Sequence, residues 1–268
     1  MGTATFSGAW LMRLAGKSAV VTGGAGGIGS ATCRAFAREG AKVVVADRDM
    51  AGAKALSEEL CADGGEATAV AVDMTRAAEV EALVAAAEER FGKLDVMFNN
   101  AGIFHPADGS VVETSEEVWA EVIDINLKGV FLGCKYAVPA LERAGGGALI
   151  NTASFVATMG AAVSQSAYTA SKGGVLALTR EIAVEFARKG IRANAICPGP
   201  IDTPMLAKLF EDERARDRRL VHIPMGRLGK AEDIAEAAVY LASDGASYVS
   251  GTEFMVDGGI RAAYVTPE

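Results

Sequence analysis

What the chain lacks narrows its function first. It has four cysteines and two histidines in 268 residues. Cys33, Cys61, Cys134 and Cys197 lie far apart, and none forms a Cys-x-x-Cys pair. Neither metal ligation nor a disulfide framework is therefore expected, and the thiols read as buried free cysteines of a cytoplasmic protein. His105 and His222 are isolated from each other and from carboxylates at metal-ligating spacing, so no metal is expected. Basic residues are outnumbered: 26 Lys and Arg against 34 Asp and Glu leave a net charge of −8, which argues against a nucleic-acid partner. Arg214, Arg216, Arg218 and Arg219 are interleaved with Glu211, Asp212, Glu213 and Asp217, and read as a solvated helix face rather than a phosphate site. No run approaches the roughly 20 apolar residues that span a bilayer. The apolar patch at 9–12 is too short for a signal peptide, so no membrane association is expected. Repeats and Pro/Ser-rich linkers are also missing, and residues 1–268 read as one domain.

What is present is alternation. Short β-branched runs at 18–22, 42–46, 67–72, 94–98, 148–152, 192–196 and 253–256 predict strands, several of them nearly continuous in apolar residues, as parallel strands covered on both faces are. Between them lie amphipathic stretches at 28–39, 51–62, 77–90, 115–142, 167–188 and 232–242. Gly40, Gly92 and Gly190 each fall where a left-handed helix C-cap would sit. Thr114 followed by Glu117 fits a capping box. The pattern predicts an α/β fold, a doubly wound parallel sheet flanked by helices. Two segments break the alternation, 103–113 and 201–229, and both follow carboxyl ends of strands, where open α/β sheets place ligands.

Three features carry chemistry. Thr22-Gly23-Gly24-Ala25-Gly26-Gly27-Ile28-Gly29 follows the first strand and opens a helix. Glycine there allows tight dihedrals and close approach of a pyrophosphate, and the helix N-terminus supplies N–H donors. Asp47 ends the second strand, 18 residues past Gly29. Its carboxylate can accept hydrogen bonds from an adenosine ribose and would repel a 2′-phosphate, favouring NAD over NADP, although the adjacent Arg48 could turn toward a phosphate. Tyr168 and Lys172 are four residues apart, which places phenol and ammonium on one helix face. A cation within ~4–6 Å lowers a phenol pKa by ~1–3 units, so Tyr168 is expected to be shifted down toward proton exchange with an alcohol. Ser154, closing a predicted strand, can bond the same substrate oxygen.

Together these resemble the short-chain dehydrogenases/reductases. The match runs from Ser18 to Gly259 through the glycine turn, Asn99-Asn100-Ala101-Gly102, Ser154, Tyr168-x-x-x-Lys172 and Pro198-Gly199. The resemblance implies a Rossmann-type fold and a catalytic set of Asn126, Ser154, Tyr168 and Lys172. Tyr168 would be general acid/base and Ser154 would steady the substrate oxygen. Lys172 would hold the nicotinamide ribose, and Asn126 would bind a water linking Lys172 to solvent. Gly23, Gly27, Ile28, Gly29, Asp47 and Arg48 would hold the dinucleotide at the glycine turn. Asp73 and Met74 would flank the adenine, Asn100, Ala101 and Gly102 would line the groove, and Pro198, Gly199, Ile201 and Thr203 would meet the nicotinamide end. Residues 201–229 would form a substrate lid, and the chain would assemble as a homotetramer through its fourth and fifth long helices. Ser154 precedes Tyr168 by fourteen residues, one more than is usual in the family, with Ser164 and Ser166 as nearby alternatives.

The activity so implied is hydride transfer between NAD(H) and a small-molecule secondary alcohol or ketone. The alternatives are a catalytically silent dinucleotide-binding sensor or scaffold and an NADP-dependent 3-oxoacyl reductase. Ile103, Phe104, Phe155, Met159, Met205, Leu206 and Phe210 suggest an apolar or mixed substrate, and His105 reads as a solvated loop residue. The apolar tail 261–268 is expected to pack against a neighbouring subunit.

Overall fold

Seven short runs of Val, Ile and Ala pair side by side in a wholly parallel sheet of order β3-β2-β1-β4-β5-β6-β7. The computed structural model describes residues 12–203 and 213–264. The strands are β1 (Ser18–Thr22), β2 (Lys42–Asp47), β3 (Glu66–Ala71), β4 (Val96–Asn99), β5 (Gly147–Thr152), β6 (Ile191–Pro198) and β7 (Glu253–Val256). Each agrees with a sequence-predicted run to within two residues, the larger shifts being at β4, which starts at Val96 rather than Leu94, and at the end of β6.

Helices cover both faces: α1 (Gly27–Arg38), α2 (Met50–Ala62), α3 (Ala77–Phe91), α4 (Glu116–Ile123), α5 (Gly129–Arg143), α6 (Ser166–Glu185), α7 (Glu213–Leu220) and α8 (Ala231–Ala242). The two-residue strand period divides the core. Ala19 and Val21 face a cluster with Phe36, Leu56, Ile234 and Val239, while Val20 joins Leu83, Val84, Leu141 and Leu149 on the other side. Burying both faces is the main source of stability in such a sheet, at roughly 25 cal/mol per Å² of apolar surface. The result is one Rossmann-type domain whose strand order reverses between β1 and β4, and the crevice beyond those two strand ends is the topological switch point.

Gly40, Gly92 and Gly190 adopt φ of +86°, +81° and +76°, the left-handed turns the sequence predicts. Two local readings need correcting. The helix expected over 115–142 changes register in its middle: α4 passes into a π-helical turn, Asp124–Lys128, before α5. The cap of α4 is Ser115, whose hydroxyl accepts the Val118 N–H, and not Thr114. The Thr114 hydroxyl is engaged by the preceding loop, accepting from Gly109 N and donating to the Ser110 carbonyl.

Candidate active site

The switch point is built from backbone and short side chains. The Thr22 hydroxyl accepts the N–H groups of Asn100 and Ala101 at 3.0 and 3.1 Å and donates to Phe98 O, and Asn100 Nδ2 returns a bond to Thr22 O. This stitches the ends of β1 and β4 together. Gly23 has φ +64°, and a Cβ there would lie 3.0 Å from the Ala101 backbone. A Cβ on Gly29 would strike the Gly23 carbonyl. Glycine is thus required at both positions for the turn to close against α1. The first turn of α1 follows Gly26 with no side-chain cap, leaving N–H donors available to an anion.

Asp47 is locked onto this turn. One carboxylate oxygen accepts Ala25 N–H at 3.0 Å and the other Asp49 N–H at 2.9 Å. Arg48, beside it, is exposed. The Asp73 carboxyl is held below its ordinary range, chiefly by the Thr75 N–H and then by the Thr75 hydroxyl. Met74 is buried against Gly129. A single cavity of about 980 Å³ is lined by every sequence-predicted cofactor residue, from Gly23, Gly27, Ile28 and Gly29 through to Pro198, Gly199, Ile201 and Thr203. This cradle fits a dinucleotide: uncapped helix donors, glycine where a Cβ would intrude, and a carboxylate beyond.

The same cavity holds Ser154, Tyr168 and Lys172. Tyr168 sits in the first turn of α6, and Lys172 follows one turn later on the same face, its Nζ 5.7 Å from the phenol ring centroid. The Lys172 ammonium donates to Thr152 O at 2.7 Å, and burial brings its pKa down to about 8. Ser154, buried just beyond β5 with its hydroxyl accepting the Val156 N–H, lies near enough to the Tyr168 phenol to favour the phenolate. Enclosure by protein outweighs that influence and pushes the phenol above its ordinary value. The expected downward shift is therefore corrected. The spacing makes Lys172 a neighbour, yet its own desolvation and its bond to Thr152 leave burial as the dominant influence on Tyr168. Phe104 packs edge-on against the Tyr168 ring with centroids 5.8 Å apart.

Asn126 lies in the π-helical turn, fully buried and outside the cavity wall. Its amide clasps one residue from both sides, accepting Ile103 N–H at 2.8 Å and donating to Ile103 O at 2.9 Å, with a further bond to Ser171 Oγ. Of the three serines considered, Ser154 alone reaches the cavity; Ser166 Oγ donates to Gly109 O instead.

Other expectations are redistributed. Ile103, Phe104, Phe155 and Met159 line the cavity, whereas His105 stands off it, 3.7 Å from Glu121. Met205, Leu206 and Phe210 lie outside the described residues, as do 1–11 and 265–268. Arg219 and His222, inside the expected lid, form part of the wall, as do Gln165, Ile260, Ala263 and Tyr264, which the sequence did not single out as site residues. Arg216 and Asp217 are exposed as expected of a solvated face, but Arg219 is not confined to it. Ala263 and Tyr264 border this chain's own cavity. All four cysteines are free, and Cys61 is exposed rather than buried, because it falls on the outer side of α2. Among the described residues there is no His/Cys/Asp/Glu cluster able to hold a metal ion, and no helix is long and apolar enough to cross a membrane.

Comparison with known proteins agrees with this geometry. A family profile described as enoyl-(acyl carrier protein) reductase matches residues 23–261. The chain is 42% identical to 2,5-dichloro-2,5-cyclohexadiene-1,4-diol dehydrogenase of Sphingobium indicum, covering 92% of this chain and 97% of the relative. It is also 42% identical to a cyclohexanol dehydrogenase of Acinetobacter sp., covering 90% and 94%. The crystal structure of levodione reductase superposes with a TM-score of 0.87 at 39% identity, covering 94% of this chain and all of that one. The chain belongs to the short-chain dehydrogenase/reductase family. It is an oxidoreductase of that family, and the cofactor class is a nicotinamide dinucleotide.

Proposed function

We propose that the chain is an NAD-dependent dehydrogenase of cyclic secondary alcohols, with Tyr168 as general acid/base assisted by Ser154, Lys172 and Asn126. The observation carrying this reading is the gathering of Ser154, Tyr168 and Lys172, the last one helical turn from the phenol, in the cavity that also contains the glycine turn and Asp47. A nicotinamide dinucleotide held by the glycine turn, Asp47 and Lys172 would supply the hydride acceptor for alcohol oxidation and the donor for ketone reduction. The Tyr168 phenolate takes the alcohol proton in oxidation, and the phenol gives it back in reduction. Ser154 donates to the substrate oxygen, stabilising its partial negative charge. Lys172, with a pKa of about 8, stays largely cationic at neutral pH and favours the phenolate. Asn126 holds Ile103, so the loop that carries Phe104 stays against Tyr168.

The preference for NAD rests on Asp47. A 2′-phosphate ~4 Å from its carboxylate would cost about 4 kcal/mol at an effective dielectric of ~20, roughly a thousandfold in affinity. A ring-shaped alcohol is supported by the apolar wall of Ile103, Phe104, Phe155, Val156 and Met159 and by the named activity of the cyclohexanol dehydrogenase relative. Assembly as a homotetramer through the fourth and fifth long helices, α4–α5 and α6, accords with the exposure of Trp119 and Phe131 on the first and Val184 on the second. The free thiols accord with a reducing, cytoplasmic setting.

The test is a screen of cyclohexanol, substituted cyclohexanols, hydroxysteroids and 3-oxoacyl thioesters with NAD(H) and NADP(H). The reading expects NADH formation from ring alcohols, with kcat/KM at least about 100-fold higher for NAD than NADP. Turnover of 3-oxoacyl thioesters alone, or a preference for NADP, would overturn it.

A further inference from the structure

Asp108 is a buried carboxylate that the reaction above does not use. It lies in the loop after β4, yet both of its oxygens are spent on the start of α6. Oδ1 accepts Ala167 N–H at 3.0 Å, and Oδ2 accepts the N–H of Tyr168 itself at 2.8 Å. The Thr114 hydroxyl is a more distant third donor at 3.4 Å. A helix leaves its first N–H groups without intrahelical partners, and the residue before the helix usually caps them. Here Gln165 occupies that place and makes no side-chain cap. The cap instead comes from 60 residues upstream of Tyr168. The next residue extends it, since Gly109 O accepts both the N–H and the hydroxyl of Ser166. The Asp108 carboxylate thus faces the positive end of α6, where anions are favoured.

We infer that Asp108 is a positioning residue: its carboxylate fixes the first turn of α6 and thereby the place of the Tyr168 phenol. The loop that carries it is pinned at its other end, where Asn126 clasps Ile103. Between those anchors Phe104 rests on the Tyr168 ring. The tyrosine is thus held at its backbone by Asp108 and at its ring by Phe104, both supplied by one loop. Without the carboxylate, only the cavity-side loop 160–165 leads into α6, and residues 162–164 are exposed. Proton transfer needs heavy atoms about 2.6–3.2 Å apart, and a shift of ~1 Å can cost about 100-fold in rate.

The inference rests on the reading of Tyr168 as acid/base, and its test separates the two. Asp108→Asn retains one acceptor oxygen, and Asp108→Ala retains none. With cyclohexanol and NAD, kcat should fall about 10-fold in the first variant and about 100-fold in the second, while KM for NAD stays within about twofold. The ionisation of Tyr168 is read independently as the tyrosinate absorbance titration of each protein minus that of its Tyr168→Phe counterpart. It should move to lower pH in the Asp108 variants, because water reaches a less enclosed phenol. If Asp108→Ala does not fold, Asp108→Asn decides. A lowered melting temperature with unchanged kcat and unchanged Tyr168 titration would overturn the inference and make Asp108 a structural cap only. Failure of the wild type to oxidise any alcohol defeats the reading of the reaction, while the titration still decides the role of Asp108.

Discussion

The Lys172 ammonium donates to the Thr152 carbonyl at 2.7 Å, so the end of β5 and not the phenol sets where this cation sits. Burial there brings its pKa from the ordinary 10.5 down to about 8. The folded state therefore holds fewer protons than the unfolded state between those values, and stability contributed at this site rises with pH across that window. Relative to Lys172→Met, the wild type should gain on the order of 3 kcal/mol between pH 8 and 10.5. Urea denaturation of both proteins at the two pH values checks this. A constant difference would contradict it.

Tyr168 is shifted the opposite way, upward by burial. Its deprotonated form is scarce at neutral pH, so kcat/KM for alcohol oxidation should climb with pH, by up to about tenfold per unit. Ketone reduction uses the protonated form and should change little over the same range. Ser154→Ala removes the hydroxyl that favours the phenolate, so the oxidation profile should move further alkaline and kcat should fall about 100-fold or more. An oxidation rate flat from pH 7 to 9 in the wild type would count against the assignment.

Asp47→Ser should narrow the preference for NAD over NADP by at least about 100-fold, since it removes a repulsion of about 4 kcal/mol. The turn should loosen somewhat as well, because Ala25 N–H loses a charged acceptor. Steady-state kinetics with both cofactors gives the ratio. An unchanged ratio would show that another group reads the ribose.

Gly29→Ala places a methyl group against the Gly23 carbonyl, so the glycine turn must open. NADH affinity, followed by fluorescence titration, should drop at least about tenfold, with stability lowered by about 1–3 kcal/mol. Wild-type affinity in this variant would mean that the cofactor is not held at the turn.

Much of this was legible in the sequence, because apolar period and glycine punctuation are local signals. The strands from Ser18 to Val256 and the left-handed Gly92 follow from neighbours in the chain. The features missed depend on chain-distant contacts. Asn126 falls in a π-helical turn that leaves the apolar pattern of the surrounding helix intact, so nothing in the periodicity marks the change of register. Asp108 caps a helix that begins 58 residues later. Tyr264 joins the cavity wall only because the chain returns to it after β7. The i, i+4 spacing of Tyr168 and Lys172 predicts that they are neighbours, but spacing carries no information about burial, which sets the direction of the Tyr168 shift.

The central claim is most directly tested by Tyr168→Phe, which keeps the ring against Phe104 and removes only the hydroxyl. With NAD and a ring alcohol that the wild type oxidises, kcat should fall about 1,000-fold or more, while the dissociation constant for NADH stays within about twofold. A variant that binds NADH normally and retains more than about a tenth of the wild-type kcat would contradict the assignment of Tyr168 as the proton-transfer group.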